Sequence, residues 1–203
     1  MRTSRDFAPL LLLFWLAGFS TLLAEDSKPQ APAVEQAIPA LIRELKPPSV
    51  TDFKGGIVMA VSTPSELAQK HVQQGLNHLH GGWEFEASRH FAAAMKEDPD
   101  CLLAHWGMAM AILDSSPETK VARKAVIERL VLLLEASQGS ELERGYTYGL
   151  LKYISEGADA AANSFEKVAR RFPNDMQAAI FSALFNRGGY DITGEATPDQ
   201  EDS

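Results

Sequence analysis

The sequence predicts an all-α fold built from repeated helical hairpins, and three observations carry that prediction. Two stretches match in a constant register without a gap: Gly75 falls against Gly149, Leu76 against Leu150, Ala87 against Ala161, Phe91 against Phe165 and Pro99 against Pro173. Glycine or proline ends each apolar-periodic run, at Gly81-Gly82, Pro99, Gly157 and Pro173. Thr63 and Ser140 are each followed three residues later by glutamate, the pattern of a capped helix N-terminus.

Taken in order, the chain opens with Arg2 and Arg5, softened by Asp6, and then carries no charge from Phe7 to Ala24. The apolar centre Leu10–Leu16 and the small residues Ala17, Gly18 and Ser20 ahead of Ala24 predict a secretory signal peptide over 1–24, cleaved after Ala24. An uncleaved membrane anchor is the less favoured reading of a run this short. Residues 25–62 hold Pro29, Pro32, Pro39, Pro47 and Pro48 and read as a Pro-rich, mostly extended linker. Within it, 33–45 has apolar spacing for one short helix, weakened by Pro39, and Gly55–Val61 reads as a short strand or extended segment.

Residues 63–190 form the predicted helical domain. Thr63 caps a helix to about His80, and a second runs from Trp83 to Glu97. Cys101–Leu113 is a third helix; Ser116 caps and Pro117 opens a fourth, to about Ala136. Ser140 caps a fifth helix to about Ser155, Asp159–Arg171 is a sixth, and Asp175–Asn186 a seventh that caps the array. Residues 191–203 form an acidic tail expected to be disordered. A hairpin needs a small residue where its helices touch, so Gly75 is expected against Ala87, with Phe91 filling the space to the next hairpin. Proline stops each second helix because it has no backbone N–H.

Gly75, Ala87, Phe91, Ala94 and Pro99 have the spacing of a tetratricopeptide repeat, and Gly149, Ala161, Phe165 and Pro173 repeat it, with Val168 where Ala94 stood. The chain resembles that family over roughly residues 66–188, with a degenerate repeat between the two units. The resemblance implies an α-solenoid of about three helical hairpins with a capping helix. The stretch Asp98–Ala111 also resembles longer exported bacterial members of the family, in which segments like Gly189-Tyr190-Asp191 and Thr197–Gln200 are followed by further repeats.

The resemblance also implies a concave groove lined by the first helix of each pair. By register, Val72, Leu76, Leu103, Trp106, Met110, Tyr146, Leu150 and Tyr153 fall there, an apolar and aromatic lining for a peptide or protein partner. Members that clamp acidic C-terminal tails use Lys, Arg and Asn; here Val72, Leu76, Gly107, Glu143 and Thr147 hold those places, so the clamp is absent. The competing reading covers this lining with the chain's own residues 50–62, since so large an open apolar face is unusual in a monomer.

Composition narrows the rest. A chain of 203 residues with 45% hydrophobic residues and a net charge of −8 has no basic face for nucleic acid or anionic lipid. The single cysteine, Cys101, rules out an internal disulfide. No residue set points to catalysis and none to a cofactor. The sequence therefore predicts an exported, non-enzymatic scaffold for protein binding. The alternatives are a redox or metal-handling protein using Cys101 and His105, one helical turn apart, and a structural subunit that self-associates. A metal shared by His71 and His105, at equivalent points of adjacent helices, would need those helices to lean their rings together.

Overall fold

A computed structural model describes residues 32–51, 56–113 and 116–186. The expected signal peptide and the acidic tail lie outside the described residues. Among the described residues every regular element is helical: a 3-10 turn at Val34–Ala37, then α1 (Ala40–Arg43), α2 (Glu66–His80), α3 (Glu84–Glu97), α4 (Leu102–Ala111), α5 (Lys120–Glu135), α6 (Glu141–Glu156), α7 (Ala158–Arg171) and α8 (Met176–Phe185). They belong to one unit, 31–203.

Local chemistry sets the helix ends. Ser140 and Glu143 close the expected capping box at α6. Asp175 accepts the Ala178 N–H at the start of α8. At α2 the cap is Ser65, which accepts the Ala68 N–H, rather than Thr63. Thr63 instead accepts the Ser65 N–H and donates to Asp98, pinning the entry to α2 against the end of α3. Pro117 lies in a turn, and α5 begins three residues later at Lys120. α6 passes into α7 through Gly157 alone, at φ +94°, a conformation open to glycine.

The expected hairpins α2–α3 and α6–α7 form, α4 packs on α3 and α5, and α8 packs on α7. α4 also lies beside both α2 and α6. The repeat is visible in the element bounds. Glu84 and Ala158 start α3 and α7, and Glu97 and Arg171 end them. Leu102 and Met176 start α4 and α8, and Ala111 and Phe185 end them. All four pairs keep the register that sets Gly75 against Gly149.

An aromatic ring in a glycine notch holds each unit. A β-carbon on Gly75 would lie 2.7 Å from the Phe91 ring, and one on Gly107 only 2.2 Å from it. The tight partner of Gly75 is therefore Phe91, not the expected Ala87, and the ring is gripped between α2 and α4. In the second unit Gly149 admits Phe165 in the same way. In the same register the counterpart of Gly107 is Phe181, whose ring centroid lies 5.3 Å from that of Phe165. Ala87, Ala94 and Ala161 are buried as their small size requires, and Pro99 and Pro173 each stand two residues past a helix end.

The stretch expected as a linker is packed against the helices. The 3-10 turn touches α5 and α1 touches α3, burying Ala37, Ile38 and Ile42. Pro39 divides the expected single helix into these two pieces. Residues 57–61 take no regular structure, and no strand forms among the described residues, because side chains of α2 rather than a second backbone meet this segment.

Removing the ring from its notch tests this packing. Phe165→Ala should lower the unfolding free energy in urea by about 3–5 kcal/mol. Gly107→Ala, which drives a methyl into Phe91, should cost about 1–3 kcal/mol. A loss below about 1 kcal/mol for Phe165→Ala would place the ring outside the core.

Candidate functional site

The residues expected to line an open groove lie in the interior. Val72, Leu76, Leu103, Trp106, Met110, Tyr146 and Leu150 are buried, and Tyr153 is half-buried with its ring centroid 4.9 Å from that of Phe185. The structure brings the α4 and α6 members together: the Trp106 and Tyr146 centroids are 5.3 Å apart, and the Trp106 indole N–H donates to the Tyr146 carbonyl at 3.0 Å. They do not form an accessible lining, because two other parts of the chain cover them.

The first cover is α8. Phe181 sets its ring 5.3 Å from Trp106, 5.9 Å from Tyr146 and 5.1 Å from His80 at the end of α2. The Tyr146 hydroxyl donates to Asp175, the cap of α8. The second cover is residues 57–62. Asn77, Gln73 and Gln69 recur at every fourth position along one face of α2. Asn77 accepts the Ile57 N–H and donates back to the Ile57 carbonyl. Gln73 donates to that same carbonyl, while Gln69 donates to the Met59 carbonyl and accepts from the Val61 N–H. Buried Glu143 accepts the Ser62 N–H at 2.8 Å, and Gln177 of α8 donates to the Met59 sulfur, joining the two covers.

Cys101 and His105 do not pair as a reactive thiol would require. Cys101 is buried, and burial, helped by the carboxylates of Asp98 and Glu143, pushes its thiol up to about 12. His105 donates from Nδ1 to the Cys101 carbonyl, not to sulfur, and accepts at Nε2 from Arg129 on α5. Burial, with Arg129 beside it, holds the imidazole down at about 4. Arg129 also donates to the carbonyls of Pro32 and Pro99, so this cluster ties the N-terminal segment, α4 and α5 together.

His71 and His105 are not brought together. His71 bonds Nδ1 to Nδ1 with His90 at 3.0 Å, both buried between α2 and α3, and His78 stacks on His90 at 5.2 Å. One proton bridges two neutral rings in that arrangement. Burial, with His71, His78 and Arg89 nearby, holds His90 down at about 3. Among the described residues no three His, Cys, Asp or Glu side chains cluster to hold a metal, and no helix is long and apolar enough to cross a membrane.

An accessible concavity lies elsewhere among the described residues. A pocket of about 780 Å³ opens between α1, the start of α3, the end of α4 and the turn before α5. Leu41, Ile42, Phe85 and Ile112 give it an apolar wall, and the exposed carboxylates of Glu84 and Glu118 line it beside them. That volume is in the range of small-molecule and side-chain binding pockets. None of these residues stands out in the sequence. The available signal was Phe85, an aromatic residue off the buried stripe of Ala87, Phe91 and Ala94 and 53% exposed. A shallower cleft of about 290 Å³ between α6 and α7 has Arg144 and Arg171 at its wall, tied to the Gly139 carbonyl and to Glu141.

Two measurements check these environments. His71, His80, His90 and His105 all release protons more readily in the folded chain than at their ordinary value of 6.5, with burial the first cause in each. The unfolded chain therefore takes up protons first as pH falls. Stability is full above 6.5 and declines as pH drops toward about 3, so the urea midpoint should be lower at about pH 4.5 than at about pH 7. Cys101 should resist thiol reagents at about pH 8 until the chain is unfolded. Comparison with known proteins returned no matching family model, no matching curated protein and no matching solved structure.

Proposed function

We propose that the chain is an exported protein-binding scaffold of the tetratricopeptide kind, a stack of helical hairpins whose inner faces are filled by its own α8 and residues 57–62. The uncharged run from Phe7 to Ala24 supports export, and the repeated unit with its ring-in-glycine notches supports the repeat architecture. The observation that carries the binding role is the pocket between α1, α3, α4 and α5. Its wall presents exposed Leu41 and Phe85 to solvent with Glu84 and Glu118 beside them. An apolar side chain of a partner next to a lysine or arginine complements that wall, because the chain's net charge of −8 adds a long-range attraction for a basic peptide.

A displayed peptide library selected against the full chain tests this. Enriched peptides should carry a large apolar residue within a few positions of Lys or Arg. Their binding should fall about tenfold or more in Phe85→Asp and weaken with added salt. Peptides bound equally well by Phe85→Asp, or lost on Trp106→Ala instead, would contradict the assignment of the site.

A further inference from the structure

The two units differ at a place that the repeat register makes equivalent. Between α2 and α3 the space is filled: His71 and His90 are buried with their Nδ1 atoms 3.0 Å apart, and Gln74 donates to the Thr51 carbonyl. In the register that sets Gly75 against Gly149, the counterparts of His71 and His90 are Gly145 and Ser164. With two imidazoles exchanged for a hydrogen atom and a hydroxymethyl group, the cleft of about 290 Å³ stands open between α6 and α7. A β-carbon on Gly145 would lie 2.8 Å from Val168, so the two helices touch where these residues line the cleft. Tyr148 and Phe172 line it with them.

The charge changes with the space. Arg144, Lys167 and Arg171 line the cleft where the first unit has Lys70, Ala93 and Glu97. Glu141 is the one carboxylate among the described lining residues, so they carry an excess of two positive charges in a chain of net charge −8. Lys167 and Arg171 stand one turn apart on α7, and the Arg171 guanidinium lies 5.6 Å from the centroid of the Phe172 ring. Arg171 pairs with Glu141 at 3.2 Å, but both are exposed, and such a pair is exchanged for another anion at small cost. Lys167 has no hydrogen-bond or ion-pair partner among the described residues. None of the three cations stands at Val72, Leu76, Gly107, Glu143 or Thr147, the places of the acidic-tail clamp.

We propose that this cleft binds a small organic phosphate, its dianion held by Arg144, Lys167 and Arg171 and its apolar part lying on Tyr148, Val168 and Phe172. A phosphate monoester carries about −1.5 to −2 charges at neutral pH and three acceptor oxygens. It therefore matches the excess charge and lets donors from both helices reach one group at once. The guanidinium forks suit phosphate geometry, and the Ser164 hydroxyl adds a further donor. A carboxylate brings one charge and two oxygens and leaves a cation unmatched. The volume lies at the lower end of small-molecule pockets, room for one such group with one ring. The site is separate from the pocket at Phe85 and does not rest on the protein-binding role.

The test titrates phenyl phosphate into the full chain and follows backbone amide signals by NMR. One saturable phase is expected, half-complete at about 1 mM or below, with shifts at 141–148 and 164–172 that shrink with added salt. Lys167→Gln combined with Arg171→Gln should weaken binding about tenfold or more, and Glu141→Gln should tighten it. Ser164→His, which returns the ring of the first unit to the cleft, should remove it; thermal melting checks that each variant folds. Phe85→Asp should leave it unchanged. Benzoate, phenol and inorganic phosphate should each bind about tenfold less tightly or worse. Absence of saturable binding, or binding indifferent to the Lys167 and Arg171 changes, overturns the proposal. Benzoate or inorganic phosphate bound as tightly as phenyl phosphate overturns the ligand class. Binding that appears only after Glu195, Asp199, Glu201 and Asp202 are exchanged for their amides overturns it by giving the cleft to the chain's own carboxylates.

Discussion

The arrangement of helices depends on a phenylalanine ring lying where two β-carbons would otherwise be. Phe91 fills the space left by Gly75 on α2 and Gly107 on α4, so these helices approach more closely than any larger residue would allow. Close approach increases the apolar surface removed from water and the number of dispersion contacts each ring makes. Phe165 does the same against Gly149, but there the far side of the ring meets Phe181. That one exchange, glycine in the first unit for phenylalanine in the second, lets α8 send an aromatic ring back to Trp106, Tyr146 and His80.

The consequence for function is that the inner faces of α2, α4 and α6 are structural. An aromatic cluster and two segments of the chain occupy them, and burying so many rings there stabilises the fold instead of leaving a groove. The polar face of α2 is likewise committed to the fold. Gln69, Gln73 and Asn77 pair the Ile57 N–H and carbonyl, the Met59 carbonyl and the Val61 N–H of a segment that has no sheet to join. The proposed binding surface is the pocket at Phe85, where exposed apolar side chains line a concavity.

Much of the fold was legible because helix ends are local chemistry. Ser140 with Glu143, Asp175 before α8, and Gly157 and Pro173 after their helices mark boundaries through caps and backbone limits that a few residues decide. The repeat register was legible because a notch fixes residue size on both sides, glycine for the helix and phenylalanine for the ring. The site was not legible in the same way. Register places Trp106 and Tyr146 on inward faces, where the structure has them, but whether an inward face is open depends on what returns to cover it. Phe181 on α8 reaches back to Trp106 on α4, and Ser62 bonds to Glu143 across 81 positions, separations at which no periodicity signals contact. The pocket is not legible in the sequence because one wall is α1, a single helical turn inside a proline-rich stretch that reads as linker. The His71–His90 bond also depends on the rotation of two helices about their axes, which spacing alone leaves open.

Hydrogen exchange of the full chain, with and without a bound partner peptide, tests the central claim most directly. If the inner faces are structural, amides of α4 and α6 exchange slowly in the free chain and unchanged in the complex, while protection appears at the start of α3 and around Thr119. Faster exchange at residues 57–62 on binding, with new protection along α4 and α6, would contradict the account: it would mean that the partner displaces the chain's own segment and takes the inner faces for itself.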